Sequence, residues 1–340
     1  MIYYLVLYVV SISFLVISSR YKLDFFYFFS VLVVAIFASL REGVGVDYQE
    51  YSDLFPLVVS GLNNQFEVVN NIIIKIFYNF GGEHAVFGFY SIVTIFLISY
   101  SFKVLSLSKE VSFLIFLLVT VFYLATFNHI RQWLAISLIM FGYALYIKGY
   151  RISSVVAIFL APLVHLSVVL LSLLLLLFKF NIKERVINLL IIAGVPVGII
   201  GYKFLEFTKY RIYLDDFGGF YLPYLMIFIL SIIEIYLFQS VRDKIDKRKY
   251  GVLYSLLLML SGVSFLVTYI GPPLLHGMRF IESIFWVEMV VLPYIFILFD
   301  KTTRFLFIFT FLLLILTYNV VVLAQNGNVY KLTPFETFLM

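Results

Sequence analysis

Apolar stretches of about 20 residues recur along nearly the whole chain, and a helix needs about that length to cross the hydrocarbon core of a bilayer. The stretches are continuous, whereas the strands of membrane β-barrels alternate apolar and polar residues. Backbone polar groups in lipid must be satisfied internally, so helices are the remaining choice. The sequence therefore predicts an all-α, polytopic transmembrane helical bundle of about 11–12 spans.

Composition agrees with this class, since 63% of the residues are hydrophobic and only 13% are charged. The predicted spans lie near 2–19, 23–40, 84–102, 111–127, 130–147, 152–178, 186–203, 221–240, 251–270, 280–299 and 304–324. The first lacks the basic start and cleavage site of a signal peptide and is expected to remain a helix. We predict a single transmembrane domain, 1–340, with an outer-face loop 41–83 whose part 68–80 has the apolar spacing of an interfacial helix.

Charge predicts the orientation of the chain, because cytoplasmic loops are enriched in Lys and Arg. Loop 241–250 carries five basic residues and is expected in the cytoplasm, whereas the acidic loop 41–83 is expected outside. Segment 152–178 either crosses once or forms a broken hairpin at Pro162. The hairpin puts every basic loop inside, so we favour it. It also places four arginines at outer ends or loops, namely Arg41, Arg131, Arg211 and Arg279.

Several classes of site are excluded or unsupported. The chain has no cysteine, which excludes disulfides, thiolate catalysis and cysteine metal sites. It also lacks a DxD motif, a phosphate-binding GxxxxGK[ST] loop, HExxH and GxSxG, so we expect no metal and no cofactor. A nucleic-acid partner is not expected, because no soluble basic face with interleaved aromatic residues is present.

The outer arginines are the main candidates for chemistry, because a guanidinium presents a planar fork that matches phosphate oxygens. Arg41 is followed by two glycines and by Asp47, which is interpreted either as a base or as the partner of this arginine. Arg131 precedes Trp133. The arginine either has a role in binding or is a snorkelling cation beside an interfacial tryptophan. His165 lies in the proline-containing break, where it either serves the structure or accepts a proton from a hydroxyl.

These segments together resemble the EpsG-like branch of the Wzy polysaccharide polymerases over nearly the whole chain. The matching motifs are Arg41-x-x-x-Gly45-x-Asp47-Tyr48-x-x-Tyr51, Glu67, Ile130-Arg131-Gln132-x-Leu134-Ala135, Pro162-x-x-His165-x-Ser167, Arg279 and Leu332-Thr333-Pro334-Phe335-Glu336. The stretch Lys209–Tyr213, which contains Arg211, matches less clearly.

The resemblance implies a GT-C-like glycosyltransferase in the bacterial cytoplasmic membrane, with its active site facing the periplasm or exterior. Its substrate would be an oligosaccharide linked to undecaprenyl diphosphate, used without a metal to build O-antigen, capsule or exopolysaccharide. Membrane lipid, a chain-length regulator and a flippase are the implied partners. We expect catalytic roles for His165, Asp47 and Glu67, diphosphate binding by Arg131, Arg279, Arg41 and Arg211, and sugar stacking on Tyr48, Tyr51 and Trp133.

Two other functions remain open at this point. An O-antigen ligase-like transferase uses the same donor and the same arginines with a different acceptor. A flippase or transporter of lipid-linked sugars belongs to another class, in which inverted repeats and charges near the midplane are common. The sequence shows no such repeat.

Overall fold

The structure, a computed structural model, describes residues 2–62, 66–119, 122–179, 182–205, 222–270, 275–304, 306, 310 and 336–337. Two compact units can be distinguished. Unit 1 comprises Met1–Leu166 and Asp300–Met340, and unit 2 comprises Ser167–Phe299. The predicted segments Lys209–Tyr213 and most of 304–324 lie outside the described residues. The prediction of one domain stays a prediction.

Unit 1 is a bundle built around one central helix. Its helices are α1 (Ile2–Tyr21), α2 (Asp24–Ser39), α3 (Tyr48–Val59), α4 (Val68–Leu105), α5 (Lys109–Leu118), α6 (Ala125–Asn128), α7 (Ile130–Lys148) and α8 (Arg151–Val164). The central helix α7 packs against α4 and α8, while α2 packs against α1 and α4. A two-residue antiparallel ladder joins β1 (Arg41–Glu42) to β2 (Glu336–Thr337).

Loop 41–83 is more ordered than the sequence predicted. The expected helix at 68–80 is present as the first part of α4, and Gly81 and Gly82 break it from the following span with non-helical backbone angles. Helix α3 was not predicted, although Tyr48, Tyr51, Phe55 and Val58 recur at helical spacing and are all buried. Its Pro56 lies inside the helix and concealed this pattern.

The predicted span 111–127 is wrong as a single helix. Helix α5 ends at Leu118, and Val119 adopts an extended conformation. The chain then turns back, so that the Tyr123 amide donates to the Phe116 carbonyl at 3.1 Å. The ten residues of α5 are about half the length that a bilayer crossing needs. The sequence does not reveal the turn, because the residues on both sides of it are apolar or aromatic. Phe113, Phe116 and Tyr123 are all buried.

The predicted break in segment 152–178 is confirmed. Helix α8 ends at Val164, His165 is extended at φ −157° and ψ 126°, and a 3-10 turn follows at Leu166–Val168. Pro162 lies in the last turn of α8. Its ring has no N–H to donate to the preceding turn, which weakens the helix at this point. Whether this segment crosses once or returns as a hairpin stays a prediction.

Unit 2 is built around helix α12. Its elements are α9 (Val169–Lys179), α10 (Glu184–Leu205), α11 (Leu222–Gln239), α12 (Lys247–Ile270), α13 (Leu275–Phe285) and α14 (Val287–Ile295). Helix α12 packs against α10, α11, α13 and α14. Its buried apolar residues form the core of this unit.

The chain is an all-α polytopic membrane protein. Within the described residues, five helical segments are long and apolar enough to cross a membrane: Ile2–Tyr21, Val68–Leu105, Ile130–Lys148, Lys247–Thr268 and Ile281–Leu298. Four shorter apolar helical segments accompany them, Asp24–Ser39, Arg151–Val164, Leu166–Phe178 and Tyr224–Gln239. Large apolar side chains on the surface of α1 and α11 suit contact with lipid.

Candidate functional site

The two ends of unit 1 carry different sets of charged residues. At one end Asp24 forms ion pairs with Lys103, at 2.6 Å, and with Lys109. These residues belong to loops that the sequence assigns to the cytoplasm. At the other end of α2 and α4, the chain brings together the segment after α2, helix α3, the start of α4 and the start of α7. Apart from His165, the candidate residues of unit 1 meet here.

Arg131 is the centre of this group. Its Nη1 donates to Glu67 Oε2 at 2.8 Å, and its Nε donates to the Tyr51 hydroxyl at 3.3 Å. The guanidinium carbon lies 4.5 Å from the centre of the Phe66 ring. The Arg131 side chain is 19% exposed and that of Glu67 is 23% exposed. A guanidinium has five N–H donors. Those of Arg131 that do not bond to Glu67 or Tyr51 have no bond to any residue in the described ranges.

Asn70 connects Glu67 to the break at His165. Its side-chain amide donates to Glu67 Oε2 at 2.9 Å and to the Val164 carbonyl at 2.6 Å. Its carbonyl oxygen accepts from the Tyr90 hydroxyl at 2.7 Å. Asn70 is fully buried, and all three of its bonds are made inside the protein. A continuous hydrogen-bond network therefore joins Arg131 to the last residue of α8.

Arg41 is buried, and none of the described residues forms an ion pair with it. Only 1% of it is exposed, and its Nε, Nη1 and Nη2 make no hydrogen bond to any residue that the structure describes. Its guanidinium instead lies 4.6 Å from the Phe127 ring centre and 5.5 Å from that of Phe87. Burial lowers the pKa of Arg41 to about 10, so the group remains charged at neutral pH. An unpaired buried cation keeps much of its field, because water does not screen it.

The segment after Arg41 is fixed by a close approach of two backbones. Gly45 has φ +116°, and a Cβ atom here would lie 2.8 Å from the Phe127 carbonyl oxygen. Next to it, the Val46 amide donates to Asn128 Oδ1 at 2.7 Å. The glycine at position 45 is thus explained by contact with the chain that leads into α7.

The remaining predicted residues of unit 1 have structural contacts. Asp47 is half-buried at the start of α3 and is not the partner of Arg41, which contradicts that interpretation. Tyr48 stacks on Phe87 at 4.2 Å. Tyr51 is 8% exposed and Trp133 is fully buried. Because neither face of Trp133 is open to a sugar in this conformation, we leave it out of the proposed site.

The remaining candidates, His165, Arg279 and Arg211, are not part of this group. His165 is half-buried and directly follows Val164, which Asn70 holds. Arg279 belongs to unit 2, where it is exposed on α13. Arg211 lies outside the described residues. Throughout the described part of the chain, no three His, Asp or Glu side chains gather in a group that could hold a metal ion. Independence from metal stays a prediction.

Sequence reasoning missed Asn70, Tyr90, Asn128 and Phe66. Asn70 carried a usable signal, since a buried asparagine in an apolar helical stretch requires hydrogen-bond partners. The other three are ordinary in their local sequence, and their importance follows only from contacts between distant segments.

Comparison with models of known protein families identifies a match over most of the chain. The model of the EpsG family matches residues 24–337, which include every candidate residue discussed above. No curated protein and no solved structure matches the chain.

Proposed function

The chain belongs to the EpsG family, and on this basis we propose that it is a polysaccharide polymerase. In this proposal it is a glycosyltransferase that moves a growing glycan from undecaprenyl diphosphate to a sugar hydroxyl of a new lipid-linked repeat unit. The reaction takes place at the outer face of the bacterial cytoplasmic membrane. The observation that carries the proposal is the partly exposed Arg131, fixed by Glu67 and Tyr51 with donors to spare.

Arg131 stabilises the leaving group. The acceptor hydroxyl oxygen attacks the anomeric carbon, the bond from that carbon to the diphosphate oxygen breaks, and the electron pair leaves with the diphosphate. Donors fixed in advance stabilise such developing charge without reorganising. Glu67 and Tyr51 each take one donor of the guanidinium, so its other donors can face the diphosphate. The field of the unpaired Arg41 adds to the attraction of an anion.

Glu67 positions Arg131 in this mechanism. Its Oε2 already accepts from both Arg131 and Asn70, so we do not assign it the acceptor proton. We assign this proton to His165, because a neutral imidazole is a common general base and this residue directly follows the end of α8 that Asn70 anchors. Diphosphate binding by Arg279 and Arg211 stays a prediction, and Asp47 is a secondary candidate for the base.

The test uses purified protein in liposomes with a lipid-linked repeat unit, and the products are separated by length. We expect Arg131→Ala to slow polymer growth by about 100-fold or more, as loss of one transition-state donor does in other enzymes. Arg131→Lys keeps the charge and loses the fork, so it should recover only part of the rate. Arg20→Ala is the matched control, because Arg20 ends α1 away from the site.

Polymer growth by Arg131→Ala at the wild-type rate would refute the role of Arg131. Wild-type protein that only translocates the lipid-linked sugar would refute the polymerase proposal and favour a flippase. Transfer of a whole glycan to a different acceptor, without elongation, would favour a ligase-like enzyme.

A further inference from the structure

A cavity of about 750 Å³ opens at one end of unit 2. Its walls come from the start of α10, the end of α11 and the start of α12. The basic residues Lys183, Arg185 and Arg242 line it. The cavity shares no residue with the Arg131 site, and the proposed polymerase reaction does not use it.

The three cations have no counter-ion in the described part of the chain. Lys183, Arg185 and Arg242 are exposed, and no ion pair joins any of them to a described residue. The one acidic residue in the lining is Glu184. Its carboxylate packs against Gly251, where an added Cβ atom would lie 2.8 Å from Oε2. Three basic residues against one acidic residue leave the lining with a net positive charge.

Aromatic side chains give the cavity a firm wall. Tyr250 is buried and stacks on Phe238, with ring centres 5.1 Å apart, and on Tyr254 at 5.5 Å. The Tyr254 hydroxyl accepts from Gln239 Nε2 at 2.7 Å. Arg242 lies over the Tyr250 ring at 5.6 Å. These contacts hold the lining in place before any ligand binds, which lowers the entropic cost of binding.

We propose that this cavity binds a phosphate group, carried either by an anionic phospholipid or by a free phosphorylated molecule. Two guanidiniums and one ammonium match the oxygens and charge of phosphate. The N-terminus of the 22-residue helix α10 adds a positive dipole end. The volume falls in the usual range for small-molecule sites, about 300–1,000 Å³.

The location favours a ligand on the cytoplasmic side. The lining residue Arg242 belongs to loop 241–250, the most basic loop of the chain, which the positive-inside rule assigns to the cytoplasm. Basic pockets between transmembrane helices on that side bind the headgroups of anionic lipids. The same chemistry suits a soluble phosphate compound, so the test separates the two sources.

The experiment compares two triple variants of the full chain. Lys183→Ala, Arg185→Ala and Arg242→Ala remove the cations of the cavity. Lys244→Ala, Lys247→Ala and Arg248→Ala remove the same charge from exposed residues that do not line it. Native mass spectrometry measures retained phosphatidylglycerol after release from nanodiscs of phosphatidylcholine and phosphatidylglycerol. Thermal shift measures the binding of pyrophosphate.

We expect the cavity variant to lose affinity by about fivefold for each cation removed, while the control variant keeps near wild-type affinity. Loss of phosphatidylglycerol alone identifies the lipid, and loss of the pyrophosphate shift alone identifies a free phosphate compound. Equal losses in both variants show general attraction to a basic surface and overturn the proposal. Failure of the wild type to bind either probe also overturns it.

A second variant guards against misfolding. Arg185→Lys with Arg242→Lys keeps the charge at two exposed residues, so folding is expected to be normal. Its affinity should fall below that of the wild type, because lysine lacks the bidentate fork. Wild-type affinity in this variant would overturn recognition by the guanidiniums.

Discussion

Replacing Asn70 with alanine tests the network that joins Arg131 to the break in unit 1. The variant deletes three buried hydrogen bonds. Glu67 keeps its bond to Arg131, but the Tyr90 hydroxyl and the Val164 carbonyl lose the partner that Asn70 supplies. Each buried polar group left unsatisfied costs about 1–3 kcal/mol. We therefore expect Asn70→Ala to lower the free energy of unfolding by about 2–6 kcal/mol.

Two further variants divide this loss between the bonds. Tyr90→Phe removes one hydroxyl and leaves only the Asn70 oxygen without this partner, so its cost should be about 1–3 kcal/mol. The double variant of Asn70→Ala and Tyr90→Phe should be less destabilised than the two single variants summed, because it has no buried hydroxyl left at this position. Ser91→Ala, which removes one long bond from α4 to the Ala38 carbonyl, is the matched control.

The measurement is equilibrium unfolding of the purified protein in detergent, together with polymer growth at a temperature where every variant is folded. Asn70→Ala should slow growth even when folded, since the end of α8 and His165 lose their connection to Glu67. A stability within about 0.5 kcal/mol of the wild type, which is the usual effect of a neutral surface change, would contradict the whole argument.

The remaining predictions concern the segment after α2. Gly45→Ala should destabilise unit 1 by at least about 2 kcal/mol, because it combines a strained φ with a clash against Phe127. Gly43→Ala has open space around the added methyl group and should cost about 1 kcal/mol in the same unfolding assay. Equal effects would contradict the clash. Arg41→Met should raise stability by at least about 1 kcal/mol, since it removes a buried charge without a counter-ion, and should reduce polymer growth. A fall in melting temperature would mean that the aromatic contacts of Arg41 outweigh its desolvation.

The sequence predicted those features that one local segment determines. Apolar length predicted most helices, and Pro162 predicted the break before His165. The end of α5 at Leu118 was not predictable in this way, because it depends on a bond from Tyr123 back to Phe116. Local sequence likewise marks an arginine as costly in a membrane, but it does not reveal which partner the arginine has.

The two central arginines illustrate this limit. Both were predicted as candidates from charge and position. Arg131 forms an ion pair with Glu67, 64 residues away, whereas Arg41 has no counter-ion among the described residues and Asp47, only six positions on, does not supply one. Proximity in sequence suggested the wrong partner, because the fold of α3 and α4 decides which carboxylate reaches which guanidinium.

The ladder between β1 and β2 has a consequence for biosynthesis. Arg41 faces Thr337, about 300 residues later in the chain. At a synthesis rate of about 5–20 residues per second, the early strand waits some 15–60 seconds for its partner. Until then the first helices can insert into the membrane, but the backbone that carries Arg41 lacks these final hydrogen bonds. A ribosome that stalls before codon 336 would therefore leave an inserted protein in which the segment of Arg41 lacks its strand partner.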